Sequence, residues 1–250
     1  METSDFKDHF SGHAAAYAEA RPGYPPELFA WLAGAAPKRA LAWDCATGNG
    51  QAARALAEHF RRVIATDASA EQIANAFPHP GIAYRVAPAE SPGLEPESVD
   101  LVTVAQAVHW FDRPRFYAAA QAALAPGGLI AVWSYGLFTI EPAIDGIIDN
   151  FYDGPIGAFW PPERRLIDER YATLDFPFAE ITAQDFRMRE SWTLAQVLAY
   201  LRTWSAVQRC QRAEGRDPVA TIAPEIARLW GDASRREVCW PLYLRTGRRG

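Results

Sequence analysis

The residues able to do chemistry gather at four places along the chain. Asp44 is followed at once by the small-residue turn Ala46-Thr47-Gly48-Asn49-Gly50, and Asp67 is followed by Ala68 and Gln72. Ala89-Glu90 comes next, and then the run Gln106-Ala107-Val108-His109-Trp110-Phe111. A glycine-rich turn between a strand and a helix lets backbone approach a ligand closely and aims free helix N–H groups at it. Gly48-Asn49-Gly50-Gln51-Ala52-Ala53 fits G-x-G-x-x-A, which would suit the pyrophosphate of a dinucleotide. Asp44 argues the other way, because a carboxylate beside the turn repels a phosphate anion. S-adenosylmethionine (SAM) has no phosphate and presents an ammonium and a sulfonium, so Asp44 suits it.

The segment Asp44-Cys45-Ala46-Thr47-Gly48-Asn49-Gly50 resembles the D-x-G-x-G-x-G signature of class I SAM-dependent methyltransferases, with Ala46 where the first glycine is usual. A side-chain methyl disfavours positive φ, so Ala46 is expected in an ordinary backbone region. Gln106 to Phe111 resembles the family's Q-A-x-H-W-F stretch. Ala87-Pro88-Ala89-Glu90 is similar to its G-D-A-E stretch along adenine, with Pro88 in place of the acid. Phe10, Tyr17 and Arg21-Pro22-Gly23-Tyr24-Pro25 resemble the Y-x-x-x-R-P-x-Y-P entry of the relatives of trans-aconitate methyltransferase, within the methyltransferase type 11 group.

The resemblance implies SAM as cofactor, S-adenosylhomocysteine (SAH) as product, and a cofactor site built from Tyr17, Arg21, Asp44, Ala46, Gly48, Gly50, Asp67, Ala68, Gln72, Ala89, Glu90, Gln106, Ala107 and Trp110. Backbone near Gln106 and Ala107 would meet the methionine ammonium, with Trp110 walling the methyl donor. Asp67 lies 17 residues beyond Gly50, at the carboxyl end of a strand beside the first. An acid there can accept from both ribose hydroxyls, a feature shared with dinucleotide enzymes. Tyr17 and Arg21, four apart, share a helix face. They read either as a lid reaching the methionine carboxylate or as ordinary packing with a surface charge.

These residues need a scaffold, and the pattern around them is α/β. Apolar runs at Leu41–Cys45, Val63–Asp67, Ile82–Val86, Val99–Val104 and Leu129–Trp133 read as strands, with helices predicted over 51–60 and 115–124 between them. Ile181–Met188 reads as a sixth strand and Val238–Leu244 as a seventh, which the family runs antiparallel between the fifth and sixth. Pro241 lacks a ladder N–H, so a bulge is expected there, or a strand beginning after it. Thr193 with Gln196 forms a capping box for the helix that follows. The expected architecture is a doubly wound, Rossmann-like seven-stranded sheet, mostly parallel with the last strand antiparallel, forming one domain over 1–250. Residues 1–40 would be a helical lid.

Residues 136–185 break the βα rhythm and hold eight aromatics, among them Phe138, Phe151, Tyr152, Trp160 and Tyr171. A cap over 136–180, inserted after the fifth strand, would cover the methyl donor and set substrate choice. Alternatively its rings pack the insertion onto the sheet, and one or two of them line a pocket. Pro142 and Pro162 each suit a helix's first turn. His109, Trp133, Tyr135, Trp160, Arg202 and Trp204 are the candidates to surround the acceptor. His109 reads as a general base or, preferably, as a histidine hydrogen-bonded for structure.

The 250 residues carry a net charge of -5, which leaves no basic footprint for nucleic acid. Lys7 and Lys38 are the only lysines, so the positive charge is almost all arginine, suited to carboxylates. Cys45, Cys210 and Cys239 have no metal spacing and cannot all pair, which favours a reducing compartment. With neither a signal peptide nor an apolar run of spanning length, the expectation is a cytoplasmic protein off the membrane, a monomer or weak homodimer acting on a small molecule.

Three readings compete: a small-molecule methyltransferase, which leads; a SAM-binding regulator without catalysis; and a nicotinamide oxidoreductase. The first predicts binding of SAM and SAH, and not of NAD or NADP. Asp67→Ala should weaken SAM by ~1–3 kcal/mol through the lost ribose acceptor. Calorimetry with the four ligands checks both, and tight NAD binding without SAM binding would overturn the reading.

Overall fold

The computed structural model describes residues 22–250. The helix expected over 14–20, and with it Tyr17 and Arg21, lie outside the described residues. Pro26 opens helix α1 (Pro26–Ala35), its ring pre-set for a first helical turn, and Leu28, Phe29 and Leu32 bury one face.

Strand and helix then alternate as the apolar periodicity dictates. The elements are β1 (Leu41–Cys45), α2 (Gln51–Ala57), β2 (Arg62–Asp67), α3 (Ala70–Ala74), β3 (Ile82–Val86), β4 (Val99–Ala105), α4 (Arg113–Ala123) and β5 (Leu124–Tyr135). The second half of the chain adds α5 (Pro142–Asp153), α6 (Arg164–Asp168), β6 (Ala179–Ile181), β7 (Arg187–Trp192), α7 (Leu194–Arg202), α8 (Ser205–Glu214), α9 (Ala223–Trp230) and β8 (Arg236–Arg248). The sheet order is β3-β2-β1-β4-β5-β8-β6, with β7 pairing β8 off that path. The first five strands are parallel, and β8 is antiparallel to β5, β6 and β7. That is the doubly wound architecture expected, with β8 antiparallel between β5 and β6.

Three details depart from the sequence reading. The single strand expected over 181–188 is two strands, because β6 pairs the end of β8 at Thr246–Arg248 while β7 pairs its start at Arg236–Pro241. Pro241 causes neither a bulge nor a strand start. It sits where the β7 ladder ends at Arg187 and the β5 ladder begins at Leu242, so its missing N–H interrupts neither, and its carbonyl accepts from Gly136 N. Pro142 does open α5, but α6 starts two residues beyond Pro162. The capping box at Thr193 and Gln196 is present.

Each sheet face has its own apolar core. On one, α1 and α2 meet Ala42, Leu101, Trp133 and the rings of Phe138, Tyr152, Tyr200, Trp204 and Trp240. On the other, α4 meets Trp43, Val102 and Ile130 together with Tyr171, Phe176 and Phe178. The aromatic stretch after β5 therefore wraps both faces, and most of its rings are core. Among the described residues, no helix is long and apolar enough to cross a membrane.

The turn after β1 overturns one backbone expectation. Ala46 has φ 54, squarely in the left-handed region. The turn leaves it little choice, since Thr47 N donates to Thr66 O at 2.9 Å and Thr47 Oγ1 donates to Asp44 Oδ2 at 2.6 Å. These bonds hold a conformation that costs an alanine ~1–2 kcal/mol. Ala46→Gly should relieve that strain. After the extra unfolded-state freedom of glycine is subtracted, the variant should be more stable by ~0.5–1 kcal/mol, read from denaturant unfolding at constant m-value.

Candidate functional site

Parallel strands present their carboxyl ends together, and the singled-out residues of β1, β2, β4 and β5 all lie there. Register puts Asp44 beside Thr103 of β4 and Ala105 beside Trp133 of β5. Asp44 is 1 % exposed. Its Oδ1 accepts from Thr103 Oγ1 at 2.7 Å and its Oδ2 from Thr47 Oγ1. Burial pushes its pKa up to about 6, opposed by the donors Thr47, Thr103 and the Ala53 backbone. A carboxylate held this far from water favours a cationic neighbour.

Asp67 closes the other side of the turn. Its Oδ2 accepts from Gly48 N and its Oδ1 from Ser69 N, each at 2.9 Å. A carboxylate oxygen accepts more than one hydrogen bond, so these bonds do not preclude ribose hydroxyls. Gly48 has φ 57 and Gly50 φ 88. A Cβ on Gly50 would run into the Tyr84 ring, so a side chain is excluded by conformation and by space together. Gln72 lies over Gly48, with its Oε1 3.8 Å from where a Cβ would stand, and its N–H is capped by Ser69 Oγ. Ala68 lies between these partners in sequence. Such a cradle takes a ligand against bare backbone, and the buried acid at its floor fits the cations of SAM better than a pyrophosphate.

The next strand end folds back onto this crevice. Glu90 Oε1 accepts from Asp112 N at 3.0 Å, which ties the Ala89-Glu90 stretch to the segment after β4. Gln106 has φ 60, and its N donates to Trp133 O at 2.8 Å. The Ala107 carbonyl accepts from Trp110 N at 2.9 Å in a short 3-10 turn. Among the described residues, Gln106 Nε2 and Trp133 Nε1 are buried donors with no acceptor. Tyr24 meets the Trp133 ring edge-on at 5.5 Å, and Tyr135 is buried two residues further along β5.

His109 is 6 % exposed, and its Nδ1 lies 2.8 Å from the Tyr171 hydroxyl. Burial first, and then the guanidiniums of Arg164 and Arg113, drive its pKa down to about 3, so the ring is neutral. Burial raises the Tyr171 phenol far above its ordinary value, with Ser134 and Arg164 pulling weakly the other way.

The other substrate candidates are placed differently. Arg202 Nε donates to Asp217 at 2.8 Å, which commits its guanidinium to that acid. Trp204 is buried against Phe138, Tyr152, Trp160 and Tyr200. Trp160 is half-buried, and with Tyr152 and Arg164 it lines an open cavity of about 430 Å³. There the Arg164 guanidinium stacks on both rings, 4.9 Å from Trp160 and 5.4 Å from Tyr152, and Nε donates to the Tyr152 hydroxyl at 2.7 Å. Thr47, Thr103 and Tyr171 were not legible as site residues. Thr103 matters through its register with Asp44 and Thr47 through the fold of the turn after it, and Tyr171 meets His109 across 62 residues of sequence.

Known proteins carry the same pattern. Residues 43–132 match the methyltransferase domain family Methyltransf_11. A methyltransferase-family protein of Dictyostelium discoideum is 32% identical over 247 residues, covering 96% of this chain and 94% of that one. A mycobacterial methyltransferase-family protein, from Mycobacterium tuberculosis, is 36% identical over 132 residues, about half of each chain. The solved structure of a type II methyltransferase homologue from Anaeromyxobacter dehalogenans superposes with a TM-score of 0.88 at 45% identity, covering 92% of this chain and 98% of that one. With the sheet order and the acid-and-glycine crevice, these matches place the chain in the class I SAM-dependent methyltransferase family.

Proposed function

We propose that this enzyme uses SAM to methylate a small molecule whose accepting oxygen is already ionised, a carboxylate foremost. The observation that carries this reading is His109. Among the described residues it is the one histidine at the functional edge of the sheet, its pKa lies near 3, and its Nδ1 is engaged by Tyr171. A base that weak gives little help to an amine or phenol, whereas a carboxylate of pKa about 4 needs no proton removed. Two further features agree. Gln106 Nε2 and Trp133 Nε1 are donors awaiting an oxygen, and Arg164, stacked on two rings and paired with Asp168 at 3.3 Å, adds its charge to the surroundings of His109.

In this reading Asp67 takes the ribose hydroxyls, while Ala89, Glu90, Ala68 and Gln72 flank the nucleoside. Backbone at Ala46, Gly48 and Gly50 lies along the cofactor, with the Asp44 field drawing the ammonium towards Gln106 and Ala107. SAM, when bound, supplies an electrophilic methyl: an acceptor lone pair forms the new O–C bond as the C–S pair returns to sulfur. The chain's contribution would be to hold that oxygen against the methyl in the orientation the transfer needs. Trp110, beside the transfer point, keeps the site dry, which favours a transition state in which charge is being lost. Tyr135 at the end of β5 and Trp160 in the 136–180 cap form the acceptor side, with Trp204 buried behind Trp160.

A panel of acids, amines and phenols with labelled SAM should give methyl esters, at nearly unchanged rate in a stable His109→Asn variant. Methylation confined to amines or phenols, and lost by ~10²–10⁴ in that variant, would instead make His109 the base.

Of the lid expected over residues 1–40, this reading keeps the segment before Pro22, since α1 (Pro26–Ala35) is packed in the core. Gln51 Nε2 donates to Pro22 O at 3.1 Å and Gly23 N donates to Glu190 Oε1 at 3.3 Å, so the stem of the segment is tied to α2 and β7. Hydrogen exchange over residues 1–25 should slow when SAH is added, and equal exchange with and without SAH would count against the lid.

A further inference from the structure

A neutral buried histidine is still useful if its proton is fixed in place, and the surroundings of His109 fix it. We propose that Tyr171 is a positioning residue that locks His109 in the tautomer with its hydrogen on Nε2, making the ring a hydrogen-bond donor to an anionic acceptor. This rests on the carboxylate reading for the identity of the acceptor, while the tautomer stands on the geometry alone.

The backbone is bent to deliver Tyr171. Arg170 and Tyr171 have φ 56 and 58, two successive side-chain-bearing residues in the left-handed region. Such residues persist only where the surroundings over-determine them. Here Arg245 Nη1 donates to the carbonyls of Tyr171 at 3.1 Å and Leu174 at 2.6 Å, and Tyr171 N donates to Leu166 O at 2.8 Å. The Arg170 guanidinium lies over the Tyr243 ring at 5.3 Å. The strained bend ends in a fully buried phenol 2.8 Å from His109 Nδ1.

The direction of that bond follows from proton accounting. A neutral phenol has one proton to place, and a buried donor left unspent costs more than a bond is worth. Ser134, the neighbouring hydroxyl on β5, acts on the phenol from the donor side, pulling its pKa down, and meets no other partner, so it does not take the Tyr171 proton. Tyr171 therefore donates to Nδ1. The neutral ring must then hold its hydrogen on Nε2, where it can donate and cannot accept. Arg113 and Arg164 act on the same ring electrostatically. One fixed donor flanked by two guanidiniums suits an anion, and a protonated amine would be repelled.

The test is nitrogen NMR on protein labelled in its histidine rings, with the His109 signals assigned by His109→Gln. His109 should show a protonated Nε2 and an unprotonated, hydrogen-bonded Nδ1, constant from about pH 5 to 8. Tyr171→Phe, which keeps the ring and its packing, should lose that pattern. With SAH bound, sodium acetate as probe should move the Nε2 signal, while sodium chloride at equal ionic strength should not. Apparent acetate affinity should fall about fivefold to tenfold in Tyr171→Phe. A wild-type Nδ1–H tautomer, an unchanged pattern in Tyr171→Phe, or no response to acetate would each overturn the proposal. If Tyr171→Phe fails to fold, the wild-type tautomer and its acetate response still decide. Failure of the carboxylate reading would show separately, as absent methyl esters with the tautomer intact.

Discussion

A carboxylate sunk beneath the end of a parallel sheet is unfavourable unless donors surround it, and the cofactor crevice is arranged around that requirement at Asp44. Thr47 and Thr103 donate to it from the turn and from the neighbouring strand, so satisfying the acid also fixes where the turn lies relative to β4. The same turn is held to β2 by Thr47 N on Thr66 O and by Gly48 N on Asp67. Three strand ends are thereby stitched together through two carboxylates. The strained φ at Ala46 is a consequence: the backbone takes the shape that keeps Asp44 bonded, whatever residue stands there.

Much of this could be read from the amino-acid order, because the signals were local. The five parallel strands, the glycine turn and the capping box at Thr193 depend on neighbours in sequence. So does the placement of Asp67 near that turn. What escaped was set by distant pairing. A polar stretch at 182–185 gave no warning that one expected strand would be two, since the division follows from β8 serving different partners along its length. Pro241 looked disruptive by composition and is harmless by position. Ala46 was misjudged because propensity favours ordinary φ, and three hydrogen bonds around the turn override a preference of ~1–2 kcal/mol.

The aromatic residues show the same limit from another side. Their number after β5 suggested a cover over the methyl donor, yet burial assigns Phe138, Phe151 and Tyr152 to one core and Tyr171, Phe176 and Phe178 to the other. Composition cannot distinguish a ring that lines a pocket from one that supports it. Tyr171 is packed as core and still reaches His109 with its hydroxyl, because a buried phenol must place its proton somewhere. Arg164 and Arg202 make the matching contrast among charges. Each is paired with an acid, Arg202 with Asp217 and Arg164 with Asp168 at 3.3 Å, but Arg164 is also held by ring faces and acts electrostatically on His109.

Seen as charge, the two ends of the proposed crevice differ in sign. Asp44 and Asp67 make the β1–β2 end negative, where the cationic amino group and the ribose of the cofactor would lie. Arg113 and Arg164 act on His109 at the β4–β5 end, Gln106 Nε2 and Trp133 Nε1 are buried donors, and His109 would be a further donor in the proposed tautomer. An anionic acceptor would thus be drawn to the side opposite the acids, which is the side from which an in-line attack on the methyl must come. With an anionic acceptor, the sulfonium and the acceptor would lose opposite charges as the bond forms, so the pair would be less polar at the transition state than on binding. A dry wall such as Trp110 would then help the transfer, while the separated acids and arginines would decide what binds and in which direction it faces. In the proposed reading substrate charge and reaction geometry would both follow from one arrangement, the strand order that sets β1 next to β4 and β4 next to β5.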